Sequence, residues 1–135
     1  MEQAEAIIST INVLVVDDME SMRGMVNGCL RELGVEKSAM ANNGEAAWKL
    51  LTNKKFDLVI CDWDMPEVTG LDLLKRIRQS EKHNHLPFLM LTATTKKEQV
   101  VSAIEAGVTD YLTKPFQPKE LAYRVVKLLH KIKRD

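Results

Sequence analysis

The chain has 135 residues, 45% of them hydrophobic, and its 19 Lys and Arg balance 19 Asp and Glu. That length suits a single domain, 1–135, able to bury a core without disulfides or a structural metal, and it leaves no space for a second catalytic or DNA-binding domain. Zero net charge excludes a global field strong enough to hold nucleic acid or anionic lipid, so neither partner is expected.

Residues 1–10 read as an N-terminal extension that lacks the basic start and cleavage site of a secretory signal. No apolar run nears the roughly eighteen residues of a membrane span, so no membrane insertion and a cytoplasmic location are expected. The first strand, near 12–17, is the run VLVV ending in Asp17 and Asp18. Met22, Met25, Val26, Cys29, Leu30 and Leu33 then recur at helical spacing, with Gly34 as a stop. Asp18 has an alternative reading, as a cap for this helix, which begins near Glu20.

A second strand near 37–41 is weakly marked, because KSAMAN has little β-branching. Asn43 and Gly44 open the next helix, whose face is Ala46, Ala47, Leu50 and Leu51, with Trp48 as packing. The third strand, near 57–61, runs through LVIC into Asp62, and Trp63 follows where it could flank a site. Pro66 ends the loop, and Thr69, Gly70 and Leu71 begin a helix carried by Leu73, Leu74 and Ile77. His83 and His85 form an H-x-H with too few neighbouring ligands for a metal.

FLML, near 87–91, leads into Thr92, and a helix over Lys96–Ala106 ends at Gly107. DYLT, over 110–113, leads into Lys114. Pro118 lies in the first turn of the last helix, lined by Leu121, Val125, Leu128, Leu129 and Ile132. That helix is basic, with Lys119, Arg124, Lys127, Lys131, Lys133 and Arg134 against Glu120 and Asp135. A solvated face explains this, and docking of an acidic partner is the alternative. Cys29 and Cys61 fall in apolar patterns, as reduced cysteines do, and the methionines at helical spacing read as core filling.

Strands alternating with helices indicate an α/β fold with a doubly wound, five-stranded parallel sheet and five helices. Such folds build sites beyond the carboxyl ends of their strands, where Asp17, Asp18, Asp62, Thr92 and Lys114 would converge. If the three acids share a site, strands one and three are neighbours, which favours the flavodoxin-like order 2-1-3-4-5. Asp57 and Asp110 lie at strand starts, at the opposite end.

Three clustered carboxylates repel: unit charges about 4 Å apart cost on the order of 4 kcal/mol at an effective dielectric near 20. A cation is required, and hard oxygen donors without His or Cys suit Mg2+. Asp62 is a possible nucleophile toward a phosphoryl group. Lys114 would add positive charge, and Thr92 a hydroxyl donor, to the phosphoryl oxygens.

The segments VLVVDD, LVICDWDMPEVTG, FLMLTA and DYLTKPF, in that order and spacing, resemble the receiver domains of two-component response regulators over roughly residues 11–130. The DW dipeptide and the TKKE and EAG stretches resemble the single-domain, CheY-like regulators of chemotaxis. The resemblance implies that Asp62 accepts phosphate from a histidine kinase or a small donor such as acetyl phosphate. It implies that Asp18, Asp62 and the backbone carbonyl of Asp64 ligate magnesium, with Asp17 acting mainly through water. Thr92 and Lys114 would move to contact the phosphoryl group, and Tyr111 would turn inward with Thr92. The Lys114–Pro115 bond would be cis. Phosphorylation would alter the face of helix four, strand five and helix five, where an effector protein binds.

Three features depart from chemotaxis relatives: Asp64 stands where Asn is familiar, Thr94 replaces a Glu, and Ala122 and Tyr123 occupy commonly acidic positions. They leave the phosphoacceptor chemistry untouched and the output open, between an effector switch and a phosphate sink or relay. The enzymatic rival is a haloacid-dehalogenase-type phosphatase, because Asp62-Trp63-Asp64 mimics its nucleophile and acid pair. Against it, the acidic pair precedes the nucleophile and the chain is short. A constitutive binding module with a disabled pocket is disfavoured by the full set of pocket residues.

Overall fold

The computed structural model describes residues 8–93 and 96–132; Thr94, most of the N-terminal extension and the last three residues lie outside that range. Strands β1 (Asn12–Val16), β2 (Lys37–Ala41), β3 (Leu58–Asp62), β4 (Phe88–Thr92) and β5 (Asp110–Thr113) form one sheet in the order β2-β1-β3-β4-β5. Every pairing is parallel. Helices α1 (Glu20–Glu32), α2 (Gly44–Asn53), α3 (Gly70–Gln79), α4 (Lys97–Glu105) and α5 (Pro118–Leu129) connect and flank the strands. The expected architecture is thus the observed one, with one addition: residues 8–10 form a helical turn whose Ile8 packs on the core.

Both sheet faces are covered, so the central strands have no polar side to show. Every residue of β3 and β4 is buried. On one face Leu14, Val16, Val59, Cys61, Phe88 and Met90 meet Ala47 and Leu51 of α2, Leu73, Leu74 and Ile77 of α3, and Ala103 of α4. On the other Val13, Val15, Ile60, Leu91 and Leu112 meet Val26 and Leu30 of α1 and Leu121, Val125 and Leu128 of α5. Successive strand residues alternate between these two cores, as the period of two requires.

β2 is one of the two edge strands and is buried only at Ala41. Its small, unbranched residues therefore meet little packing demand, which is why its sequence signal is faint.

The helix ends follow local chemistry. Asn43 Oδ1 accepts from Ala46 N at 2.7 Å, and Thr69 with Asp72 forms a reciprocal capping box. Gly34 (φ 97°) and Gly107 (φ 91°) take the left-handed turn after α1 and α4. Each is followed by a residue whose N–H reaches back into the helix, Val35 to Leu30 O at 2.9 Å and Val108 to Ala103 O at 3.0 Å. Among the described residues, no helix is long and apolar enough to cross a membrane.

Candidate functional site

The strand order reverses between β1 and β3, the point beyond whose carboxyl ends such sheets build their sites. Alternation continues past the last ladder residues: Val13 and Val15 lead in phase to Asp17, Leu58 and Ile60 to Asp62, and Leu112 to Lys114. Three residues far apart in sequence therefore leave the same pleat face at the same end of the sheet. Backbone bonds carry the ladder onward and pin them: Asp17 N to Ala41 O at 3.1 Å, Trp63 N to Leu91 O at 2.8 Å, and Lys114 N to Thr92 O at 2.7 Å. Thr92 follows the other phase, with Phe88 and Met90, and half-buried Tyr111 packs on that same core in register with Met90. The Lys114–Pro115 bond is cis.

Oxygens of Asp17, Asp18 and Asp62 lie within 4.8 Å of one another. Asp17 and Asp62 are buried, at 1% and 3% exposure, while Asp18 faces solvent. Lys114 Nζ donates to Asp62 Oδ1 at 2.9 Å and sits 3.6 Å from Asp17 Oδ2. Asp17 Oδ1 accepts from Met19 N at 2.9 Å, but its Oδ2 is buried with no hydrogen-bond partner. The expected alternative for Asp18 is not what forms: the cap position of α1 is Met19, which has no side-chain cap, and it is Asp17 that binds the Met19 N–H.

One lysine does not neutralise two buried acids. Burial pushes the Asp17 and Asp62 carboxyls up, each is pushed further by a neighbouring acid, and Lys114 and local N–H groups only partly offset this. Burial would lower the Lys114 amine, but its bond to Asp62 and the charges of both acids outweigh that and hold it above its ordinary value. Beneath the cup, burial raises the Cys61 thiol strongly, so it is an inert part of the core.

The loop after β3 shapes the rim. The Asp64 N–H donates to the Asp62 carboxylate, while the Asp64 side chain is exposed and does not join the acidic cluster. Trp63 turns into the core at 9% exposure. Gly70 N closes the loop on Trp63 O at 2.9 Å. A Cβ on Gly70 would stand 2.3 Å from the Asp62 carbonyl oxygen, so the helix start and the acid are locked together by close backbone contact.

Sequence reasoning missed that role and took Gly70 as a helix opening, although Thr69 already supplies the cap. It also missed Arg23, whose Nη1 donates to Asp17 O at 2.7 Å. A single basic residue in the first turn of α1 gave no signal for this. His83 contacts the Trp48 ring edge-on at 6.0 Å, and among the described residues the acidic triad is the only group placed to hold a metal.

The donor set is all carboxylate oxygen, one buried oxygen has no hydrogen-bond partner, and the net local charge is negative. That combination fits a small hard divalent cation.

A model of the response regulator receiver domain matches residues 13–126. The chain is 38% identical over 122 residues to the chemotaxis protein CheY of Pseudomonas aeruginosa, spanning 90% of this chain and 98% of that one. It is 41% identical over 129 residues to the chemotaxis protein CheY-3 of Vibrio cholerae, spanning 95% and 99%. Among solved structures, the chemotaxis response regulator CheY4 of Vibrio cholerae superposes with a TM-score of 0.81 at 33% identity, covering 87% of this chain and 98% of that one. The signal receiver domain of a Syntrophus aciditrophicus signal transduction histidine kinase gives 0.85 at 29% identity, covering 93% and 95%. The chain belongs to the response regulator receiver domain family and is a homologue of the CheY chemotaxis regulators.

Proposed function

We propose that the protein is a cytoplasmic, phosphorylation-controlled signalling switch whose 135 residues form one receiver domain, residues 1–10 being an extension. An Asp62 carboxylate oxygen attacks the phosphorus of a histidine kinase phosphohistidine. The new O–P bond replaces the P–N bond, and the imidazole leaves to take up a proton. Asp18, Asp62 and the Asp64 backbone carbonyl would hold Mg2+ directly and Asp17 mainly through water, and the ion would supply positive charge to the transferring phosphoryl oxygens. Lys114 moves its amine from Asp62 to a phosphoryl oxygen, and Thr92 turns its hydroxyl to another. Tyr111, on the same pleat phase as Thr92, follows into the space that Thr92 leaves. Hydrolysis of the acyl phosphate by water resets the switch.

The observation that carries this reading is the meeting of the three acids with the amine of Lys114, 2.9 Å from Asp62 Oδ1. Acetyl phosphate with magnesium is expected to add one phosphoryl group to the intact protein, detected by mass. Asp62→Asn is expected to abolish the addition with the fold retained, and undiminished labelling of that variant would refute the assignment.

The output face is α4, β5 and α5. Ile104 and Tyr123 there are 60% and 65% exposed, beside basic α5, which supports docking of an effector protein. Beryllofluoride, a phosphoryl mimic, separates the outputs: a partner retained only in its presence marks an effector switch, and mimic-independent behaviour marks a phosphate sink. The phosphatase rival finds no support, because Asp64, its general acid, faces solvent outside the cluster.

A further inference from the structure

At the amino ends of the strands, the segment after α2 and the segment before β4 enclose a cavity of about 430 Å³. Its floor is apolar, since Leu51, Phe56 and Leu86 are buried there. Its rim is cationic: Lys54 and Lys55 come from one segment and Lys82, His83 and His85 from the other, with no carboxylate among the lining residues.

Helix-end chemistry accounts for only half of this. Lys54 and Lys55 follow the carbonyl pole of α2, where cations are favoured. That pole is already answered locally, because Thr52 Oγ1 and Asn53 Nδ2 both donate to Lys49 O at 2.8 Å. Lys82, His83 and His85 belong to a separate segment, yet converge on the same opening in a chain of zero net charge. None of the three lysines takes part in the ion pairs of the described residues. His83 is held in place by the edge of Trp48, whose ring lies under the Arg76 guanidinium at 4.3 Å. Burial, with the charges of Lys82 and His85, lowers the His83 imidazole.

We propose that this cavity binds a small phosphorylated compound bearing a flat apolar ring, the nucleotide class, with phosphate on the lysine rim and the ring on the Phe56 and Leu86 floor. The volume falls within the roughly 300–1,000 Å³ of small-molecule sites, and a few placed charges over an apolar floor are their usual lining. Lysine amines serve as point charges for phosphate. Phe56 and Asp62 are six residues apart along extended chain, about 20 Å, so the cavity is distinct from the acidic cup.

The test is titration calorimetry of the full chain with ADP in EDTA, which removes divalent metal and silences the acidic cup. Saturable binding is expected, retained in Asp62→Asn and weakened by about tenfold or more when Lys54, Lys55 and Lys82 are all changed to Glu. Those residues are exposed, so the melting temperature of the triple variant should stay close to that of the parent, and Lys82→Gln alone should weaken binding by a smaller factor. Adenosine and pyrophosphate separately should each bind more weakly than ADP. Absence of saturable binding at millimolar ADP, or binding indifferent to the charge reversal, overturns the proposal. Pyrophosphate matching ADP overturns the ring assignment. Charge-dependent binding of hexaglutamate with ADP inert overturns it in favour of an acidic peptide.

Discussion

Asp57 and Asp110, at the amino ends of β3 and β5, are held by donors of their own, whereas Asp17 and Asp62, at the carboxyl ends of β1 and β3, compete for one lysine. Asp57 Oδ2 accepts from Asn12 N at 2.9 Å, while Asp57 N donates to Asn12 O at 2.8 Å. Asp110 receives Arg124 Nη1 on both oxygens, at 2.9 and 3.0 Å, and the Tyr111 N–H at 2.8 Å. The pair at the other end is deeper, mutually repelling, and leaves one oxygen without a hydrogen bond. One residue type thus serves two purposes in one sheet. At the amino end it satisfies backbone and ties strands to neighbours. At the carboxyl end it stores an electrostatic imbalance that a cation would relieve.

Backbone-level changes should show the contrast most strongly. A Cβ at Gly70 would meet the Asp62 carbonyl oxygen at 2.3 Å and the Met90 Sδ and Trp63 Cα at 2.9 Å. Backbone cannot yield as a side-chain tip does, so Gly70→Ala is expected to lose about 3 kcal/mol in urea unfolding and to cut acetyl phosphate labelling sharply. At the other end Arg78 is a strut: its guanidinium donates to Gly107 O at 2.9 Å, Leu86 O at 2.7 Å and Asn84 O at 3.2 Å. Arg78→Ala should cost about 1–2 kcal/mol, chiefly by stranding the part-buried Leu86 carbonyl, and Arg78→Lys should recover little because it lacks the planar fork. Labelling should be unchanged in both. A labelling defect in Arg78→Ala equal to that of Gly70→Ala would break the division between the two ends.

The sequence carried the two ends unequally. The acid, hydroxyl and amine positions were legible because each follows a short apolar run, alternation carrying β1, β3 and β5 into Asp17, Asp62 and Lys114 on one face, whereas the strand order followed only on the condition that the three acids share a site. Helix starts at Asn43 and Thr69 and stops at Gly34 and Gly107 were legible because they are decided within a few residues. What escaped depends on close approach between distant segments. Arg78 reaches Asn84, Leu86, Gly107 and Thr109, none of them marked in its own helix, which reads as an ordinary amphipathic one. Trp63, expected as a flank to the site, is packed into the core instead, because alternation carries it on in phase with Val59 and Cys61 to the sheet face opposite Asp62.

Neutralising one acid at each end should give opposite signs. Asp17→Asn keeps an oxygen for the Met19 N–H and removes a buried charge that repels Asp62. In metal-free buffer it is therefore expected to stabilise by about 1 kcal/mol. Asp110→Asn weakens a partly exposed ion pair with Arg124 and should destabilise by about 1 kcal/mol or less. Under the proposed function, magnesium reverses the first result: at a hundredfold over its dissociation constant it should stabilise the parent by about 2.7 kcal/mol, and Asp17→Asn by much less. If Asp17→Asn destabilises the metal-free protein, the imbalance at the carboxyl end is not real.

The smallest effect is the pH dependence of metal-free stability, and its sign is fixed by which state holds more protons. Asp17 and Asp62 are raised in the folded chain above their ordinary 3.8, so between that value and the raised ones the native state binds more protons than the unfolded one. Stability from these two groups therefore falls as pH climbs through that window, the reverse of a salt-bridged carboxylate whose pKa is depressed. Lys114 is raised above its ordinary 10.5, so its contribution is complete at neutral pH and disappears as pH passes through its raised value. Subtracting the urea-unfolding profile of Asp17→Asn from that of the parent should leave a curve that declines with rising pH just above 3.8. Its amplitude is modest, because Lys114 and the Met19 N–H answer part of the field that burial creates. A difference curve that rises instead would mean that Lys114 outweighs burial, and that the cup is a satisfied ion pair like the one between Asp110 and Arg124.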